Sequence, residues 1–199
     1  MTDAELGYLA LAETTEDVQR LFDSDIADRG FVMNVSRLWA HQPAAKQRLM
    51  DLMGEVARGG GLTEQQRAVL IAACASTLGD SYCSLAWGKK LAGAAGDDIA
   101  ASVIKGDDEG ASEQDRALAR WARQITRDPN STSPSDVTAL RDVGFDDAQI
   151  FAVTAFVGLR LAFSTINDAL GVQPDRALAE TVPRAVRDVV TYGRPVGTA

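Results

Sequence analysis

Apolar residues recur along this chain at intervals of three and four, the spacing that places them on one face of a helix, and no sustained alternation marks a strand. The first run, Val18, Leu21, Phe22 and Ile26, breaks at Gly30. A second covers Val32 to Trp39 and ends near Pro43, and a third runs from Ala44 to Val56 before Gly59, Gly60 and Gly61. Thr63 with Gln66 has capping-box spacing and opens a helix through Val69, Leu70 and Ala73 to about Leu78, where Gly79 and Asp80 interrupt it. Asp80 is a good N-cap for a helix from Ser81 to about Leu91. Gly93 and Gly96 then end that helix ahead of the acidic loop Asp107 to Gly110.

Ser112 caps a further helix through Leu118, Trp121 and Ile125, and the Pro/Ser/Thr-rich connector Pro129 to Pro134 reads as a loop inside the domain. Ser135 to Val143 gives a short helix. Phe145 and Asp146 then supply a hydrophobic staple and a cap, with Gln149 and Ile150 as their partners, for an apolar helix reaching about Leu170. Because that helix is apolar on most faces, its place is central. The tail 173–199 is more polar, with a helical stretch near Val182 to Tyr192 that covers a neighbour or frays. Thr63 to Ala68 resembles Ser112 to Ala117, which reads as the same helix-start signal used twice.

These patterns predict an all-α multi-helix bundle, with residues 1–199 forming one domain. The hydrophobic fraction of 46% and charged fraction of 24% support a folded core and argue against a disordered chain. With a net charge of -8 and no basic cluster, the chain offers no electrostatic footprint for nucleic acid or an anionic membrane. The acidic start Met1 to Glu5 lacks the character of an export signal, so a cytoplasmic location is expected. The longest apolar stretch, Ile150 to Ile166, contains Arg160 and Ser164, falls short of the roughly 20 residues of a bilayer span, and reads as a buried helix.

Several segments together resemble one family. They are Asn34 to Pro43, Leu62 to Cys83 with its Tyr82-Cys83 pair, the helix start at Ser112, and Gly144 to Asp146 continuing to Asn167 through Gly171. The stretch 31–175 is similar to the carboxymuconolactone decarboxylase and alkylhydroperoxidase D-like superfamily, in its peroxidase-related branch. The resemblance implies an alkylhydroperoxidase D-like helical fold and assembly as a homo-oligomer. The peroxidase members use a C-x-x-C pair at a helix start, a His one turn after the second Cys and a Glu on the preceding helix. On this chain the second Cys is Cys83, while the first Cys falls on Asp80, the His on Trp87 and the Glu on Ala68. The resemblance thus implies a degenerate C-x-x-C site with peroxidase activity weak or lost.

The residues admit chemistry and plainer roles alike. At the third position of a helix, Cys83 gains from free backbone N–H groups about 0.3–1 kcal/mol toward its thiolate, and Asp80 one turn earlier opposes this by about as much. Asp80 serves as a cap, as an acid, or as both. Trp87 and Tyr82 wall a pocket or fill core, and Glu64, one turn before Ala68, either restores the missing carboxylate or complements the helix dipole. Cys74 reads as a buried apolar residue rather than a resolving thiol, because a disulfide needs Cα atoms within about 7 Å. His41, the only histidine, reads as structural, and neither a metal site nor a cofactor is expected.

Three functions compete on these grounds. The first is thiol-dependent hydroperoxide reduction through Cys83, resolved by an external thiol. The second is a cofactor-free lyase or isomerase with Asp80 as acid or base. The third is a non-catalytic helical oligomer that binds an apolar ligand or small-molecule substrate.

Overall fold

The computed structural model describes residues 7–197. The acidic start Met1 to Glu5 and the end of the tail at Ala199 lie outside the described residues. Eleven α-helices and one 3-10 turn, Pro129–Ser131, make up the described elements, with no strand among them. In chain order the helices are α1 (Glu16–Arg29), α2 (Asn34–Trp39), α3 (Pro43–Gly59), α4 (Glu64–Leu78), α5 (Ser81–Ala95), α6 (Asp97–Lys105), α7 (Glu113–Arg127), α8 (Pro134–Asp142), α9 (Asp147–Ala169), α10 (Arg176–Glu180) and α11 (Arg184–Val189).

The helix α4 is the hub. Every residue from Ala68 to Ala75 is buried, so it presents apolar atoms all round and packs against α5, α6, α7 and α9. Small side chains on it, Ala68, Ala72, Ala73 and Ala75, let those neighbours approach closely, and Leu70 and Ile71 fill the gaps between them. One hydrophobic core built this way runs from Met33 to Val186.

The start signals behave as local physical chemistry requires. Thr63 and Gln66 form a reciprocal capping box, as do Asp146 and Gln149, and Ser112 accepts from the Asp115 N–H. Boundaries shift where local signals are weaker. The connector after α7 holds a 3-10 turn and α8 begins at Pro134, because Ser133 rather than a later residue supplies the cap.

Two helices went unpredicted. Helix α5 runs through Gly93 to Ala95, and after Gly96 (φ 99°) α6 follows, its Val103 and Ile104 buried. Helix α6 has only nine residues and no side-chain cap, so its start leaves little trace in the sequence. Helix α10 is a single short turn structure within the tail. The tail covers rather than frays. Val182 and Val186 are buried, and a Cβ at Gly88 would meet Val186 Cγ1 at 2.6 Å and Ile104 Cδ1 at 2.7 Å, so glycine there lets α11 and α6 close on α5.

At 23 residues α9 exceeds the apolar stretch at both ends, and by length and composition alone it would suffice to cross a membrane. Here it packs against α3, α4, α7 and α8, with Val153, Val157 and Phe163 in the core.

Candidate active site

Cys83 sits where α4 turns into α5. Gly79 (φ 78°) ends α4 in the left-handed region that glycine adopts without strain, and the Asp80 N–H returns to the Ala75 carbonyl at 2.9 Å. Asp80 then caps α5, its Oδ1 accepting the Cys83 N–H at 2.8 Å. The C-terminal tail seals this junction from behind. Ser81 donates to the Arg194 carbonyl at 2.8 Å, and Tyr192 donates to Ser84 Oγ at 2.9 Å. A Cβ at Gly193 would lie 2.4 Å from the Gly79 carbonyl oxygen, so only glycine permits that approach. Asp80 is consequently 0% exposed, and its second carboxylate oxygen has no protein partner.

The sulfur of Cys83 meets α9. Arg160 donates through Nη2 to Cys83 Sγ, and Ser164, one turn further along, lies 3.9 Å from it. Arg160 is itself 4% exposed and carries its guanidinium over the Phe163 ring at 4.5 Å from the centroid and toward Trp87 at 6.0 Å. Phe163 in turn stacks on Trp39 at 5.4 Å, and Trp39 donates to Asn167 Oδ1 at 2.8 Å, which braces this segment of α9.

Electrostatically the thiol is held back. Burial pushes the Cys83 thiol well above its usual range; Arg160 pulls it down, the Asp80 carboxylate and its hydrogen bond push it up, and Ser164 pulls it down. The fields of Asp80 and Arg160 oppose one another here, so burial decides the direction. Cys74, deep in α4, is also raised by burial, with Thr126 and Arg160 opposing. Both cysteines are free thiols.

A cavity of about 670 Å³ opens in front of Cys83 between α1, α3, α5 and α9. Cys83, Tyr82, Trp87, Arg160 and Phe163 all line it. Ala68, Glu64 and Asp80 are not among its lining residues: Ala68 is buried within α4's core contacts, Glu64 is exposed in that helix's first turn, and Asp80 is enclosed as the cap of α5. Tyr82 presents its ring to the cavity, while its hydroxyl donates to Asp175 Oδ2; Asp175 also accepts the Asn34 N–H at 2.8 Å. Burial, then Asp175, pushes the Tyr82 phenol upward, so it is a poor proton donor to a substrate. His41 is exposed and donates to the Ala10 carbonyl at 3.0 Å, away from this cavity. Among the described residues no group of three His, Cys, Asp or Glu side chains has metal-binding geometry.

Arg160 was overlooked as a site residue on sequence grounds, although it left a signal: a lone arginine, with Ser164 one turn on, inside the longest apolar run of the chain. An ionisable residue in such a helix needs a partner, and the partner here is Cys83.

No family profile matches the chain, and no curated protein matches it in sequence. Its helices nevertheless form the alkylhydroperoxidase D-like fold. The solved structure of an alkylhydroperoxidase AhpD core, an uncharacterized peroxidase-related protein from Ralstonia eutropha JMP134, superposes with a TM-score of 0.79 at 20% identity, covering 90% of this chain and 98% of that one. An uncharacterized peroxidase-related protein from Silicibacter sp. TM1040 gives a TM-score of 0.79 at 17% identity over 90% of this chain and 97% of the other. A variant of the debrominase Bmp8 in complex with 2,3,4-tribromopyrrole matches with a TM-score of 0.70 at 12% identity, over 90% and 96% of the two chains.

Proposed function

We propose that this chain is a thiol-dependent peroxidase of the carboxymuconolactone decarboxylase and alkylhydroperoxidase D-like superfamily, working with one cysteine in place of the C-x-x-C pair. The observation that carries the reading is the Arg160 guanidinium against Cys83 Sγ at the wall of the cavity. Arg160 brings a positive charge to this sulfur, on a chain where Trp87 and Ala68 stand at the motif's histidine and glutamate positions.

In the reaction, the Cys83 sulfur attacks the terminal oxygen of a hydroperoxide bound in the cavity. The O–O bond breaks, the sulfur is oxidised to sulfenic acid, and the thiol proton leaves with the alcohol product. An external thiol then condenses with the sulfenic acid, releasing water and leaving a mixed disulfide. A second external thiol reduces that disulfide, regenerating Cys83 and giving the oxidised donor. No resolving cysteine is required, in keeping with Asp80 at the first motif position and Cys74 free within α4. Because burial keeps Cys83 protonated at rest, the first step is slow unless substrate binding changes that balance. A reducing cytoplasm, where free thiols persist, suits this cycle, and assembly as a homo-oligomer belongs to the same reading.

The lyase or isomerase alternative has less support, since Asp80 is enclosed and does not line the cavity. A general acid must come within hydrogen-bond reach of its substrate. The test is intact mass after brief exposure to an organic hydroperoxide with a sulfenic-acid trap. The trap is expected on the wild-type chain and absent in Cys83→Ser. A wild-type chain that stays unlabelled at every pH tried ends the peroxidase reading.

A further inference from the structure

The cavity in front of Cys83 differs in charge from the rest of the chain. The whole chain carries -8, yet five cations, Arg20, Arg29, Lys46, Lys90 and Arg160, line the cavity against three carboxylates, Asp17, Asp25 and Asp28. One pair cancels within the cavity, leaving four cations against Asp25 and Asp28. Asp17 pairs with Arg20, and Asp25 accepts the Met33 N–H at 2.9 Å. Among the described residues no ion pair engages Arg29, Lys46, Lys90 or Arg160.

The cations also repel one another, since the charge of Arg29 reaches both Lys46 and Lys90. Lys46 is half-buried and donates to Ser36 Oγ at 2.6 Å, and Lys90, though exposed, lies 4.2 Å from the centroid of the Trp87 ring at the cavity wall. Burial lowers the pKa of each lysine and Arg29 adds to it at both, while the field of Asp25 opposes this at Lys46 and that of Glu64 opposes it at Lys90. An anion delivered among them relieves that repulsion. Around the charges the walls are apolar and deformable, built from Leu21, Met33, Val35, Met50, Trp87 and Phe163.

We propose that this cavity binds an apolar monocarboxylate, its carboxylate held by Lys46 and Lys90 beside Arg29 and its hydrocarbon body lying along the methionine and aromatic wall toward Cys83. A cavity of about 670 Å³ is of the size that encloses such a molecule. The inference rests on the peroxidase reading at one point: the natural substrate is then the hydroperoxide of an acid of this class.

The experiment is calorimetric titration of the full chain carrying Cys83→Ser with decanoate, decanol and decyltrimethylammonium at neutral pH. Decanoate binds at least about tenfold tighter than decanol, as expected for hydrogen bonds to a charged group, and decyltrimethylammonium binds weakest. The advantage of decanoate disappears in the double variant Lys46→Met with Lys90→Met and survives in Lys46→Arg with Lys90→Arg, which separates lost charge from lost fold. Decanol binding as tightly as decanoate, or an advantage that persists in the double methionine variant, overturns the proposal. The Cys83→Ser chain cannot form a sulfenic acid, so the result is independent of thiol chemistry. A preference for decanoate beside an inert wild-type Cys83 retires the peroxidase reading alone, and sulfenic acid formation without that preference retires the carboxylate site alone.

Discussion

The Arg160 guanidinium on α9 lies against the Cys83 sulfur on α5, both side chains nearly fully buried at the wall of the cavity. A buried guanidinium without a counter-charge is costly, and two groups compete to supply one: the Asp80 carboxylate and a Cys83 thiolate. Both act on the same site, since the Cys83 thiol feels Asp80 and Arg160 with opposite sign. The acid at the first motif position therefore both caps the helix and suppresses the nucleophile.

Replacing that acid by its amide tests this account. Asp80→Asn retains the cap on the Cys83 N–H and removes the competing charge, so Cys83 alkylation by iodoacetamide at neutral pH accelerates by about tenfold, a gain of ~1.4 kcal/mol. Stability changes little because Asn caps nearly as well, whereas Asp80→Ala loses about 1–2 kcal/mol in urea unfolding. The pH–rate profile of alkylation moves to lower pH in the Asn variant.

Removing the cation has the reverse effect. Arg160→Met moves the alkylation profile to higher pH and slows trapping at neutral pH by at least about tenfold. Arg160→Lys recovers part of the rate, since it keeps the charge and loses the planar fork.

Tyr82→Phe separates architecture from chemistry. Losing the hydroxyl bond to Asp175 leaves that buried carboxylate with fewer partners and lowers unfolding stability by about 1–3 kcal/mol. The rate of Cys83 alkylation stays within about twofold, because the hydroxyl's hydrogen bond goes to Asp175 and not to the sulfur.

Asp168 supplies a pH signature. Burial, then the Asp80 charge, raises its pKa from 3.8 to about 6, against the pull of Arg194 and Arg160. Between those two values the folded chain holds a proton that the unfolded chain has released, so this group's contribution to stability falls as pH rises through that window. Asp168→Asn therefore raises the melting temperature relative to wild type at about pH 7.5, and the difference shrinks toward about pH 4. A difference that grows on acidification contradicts this assignment.

Much of the helical framework was legible from the chain alone. Thr63 with Gln66, Asp80, Ser112 and Asp146 with Gln149 all cap helices where their spacing places them, and Cys83 takes the third position of α5. These features depend on hydrogen bonds and dihedral preferences spanning only a few residues, so the residues that cause them are neighbours in sequence. Short elements such as α6 and α10 escaped because they carry no side-chain cap and span only nine and five residues.

The site was only half visible. Cys83, Tyr82 and Trp87 sit together on α5 and reach one cavity, as their spacing on a helix face allows. Arg160 lies 77 residues away from Cys83, and Lys46 and Lys90 come from different helices, so no local pattern relates them. By itself the sequence determined where the helices start and that Cys83 sits at the head of one, because those outcomes follow from short-range forces. Only the packing of α5 and α9 on the small side chains of α4 decided that an arginine meets that sulfur, since such a pairing depends on how distant segments share one core.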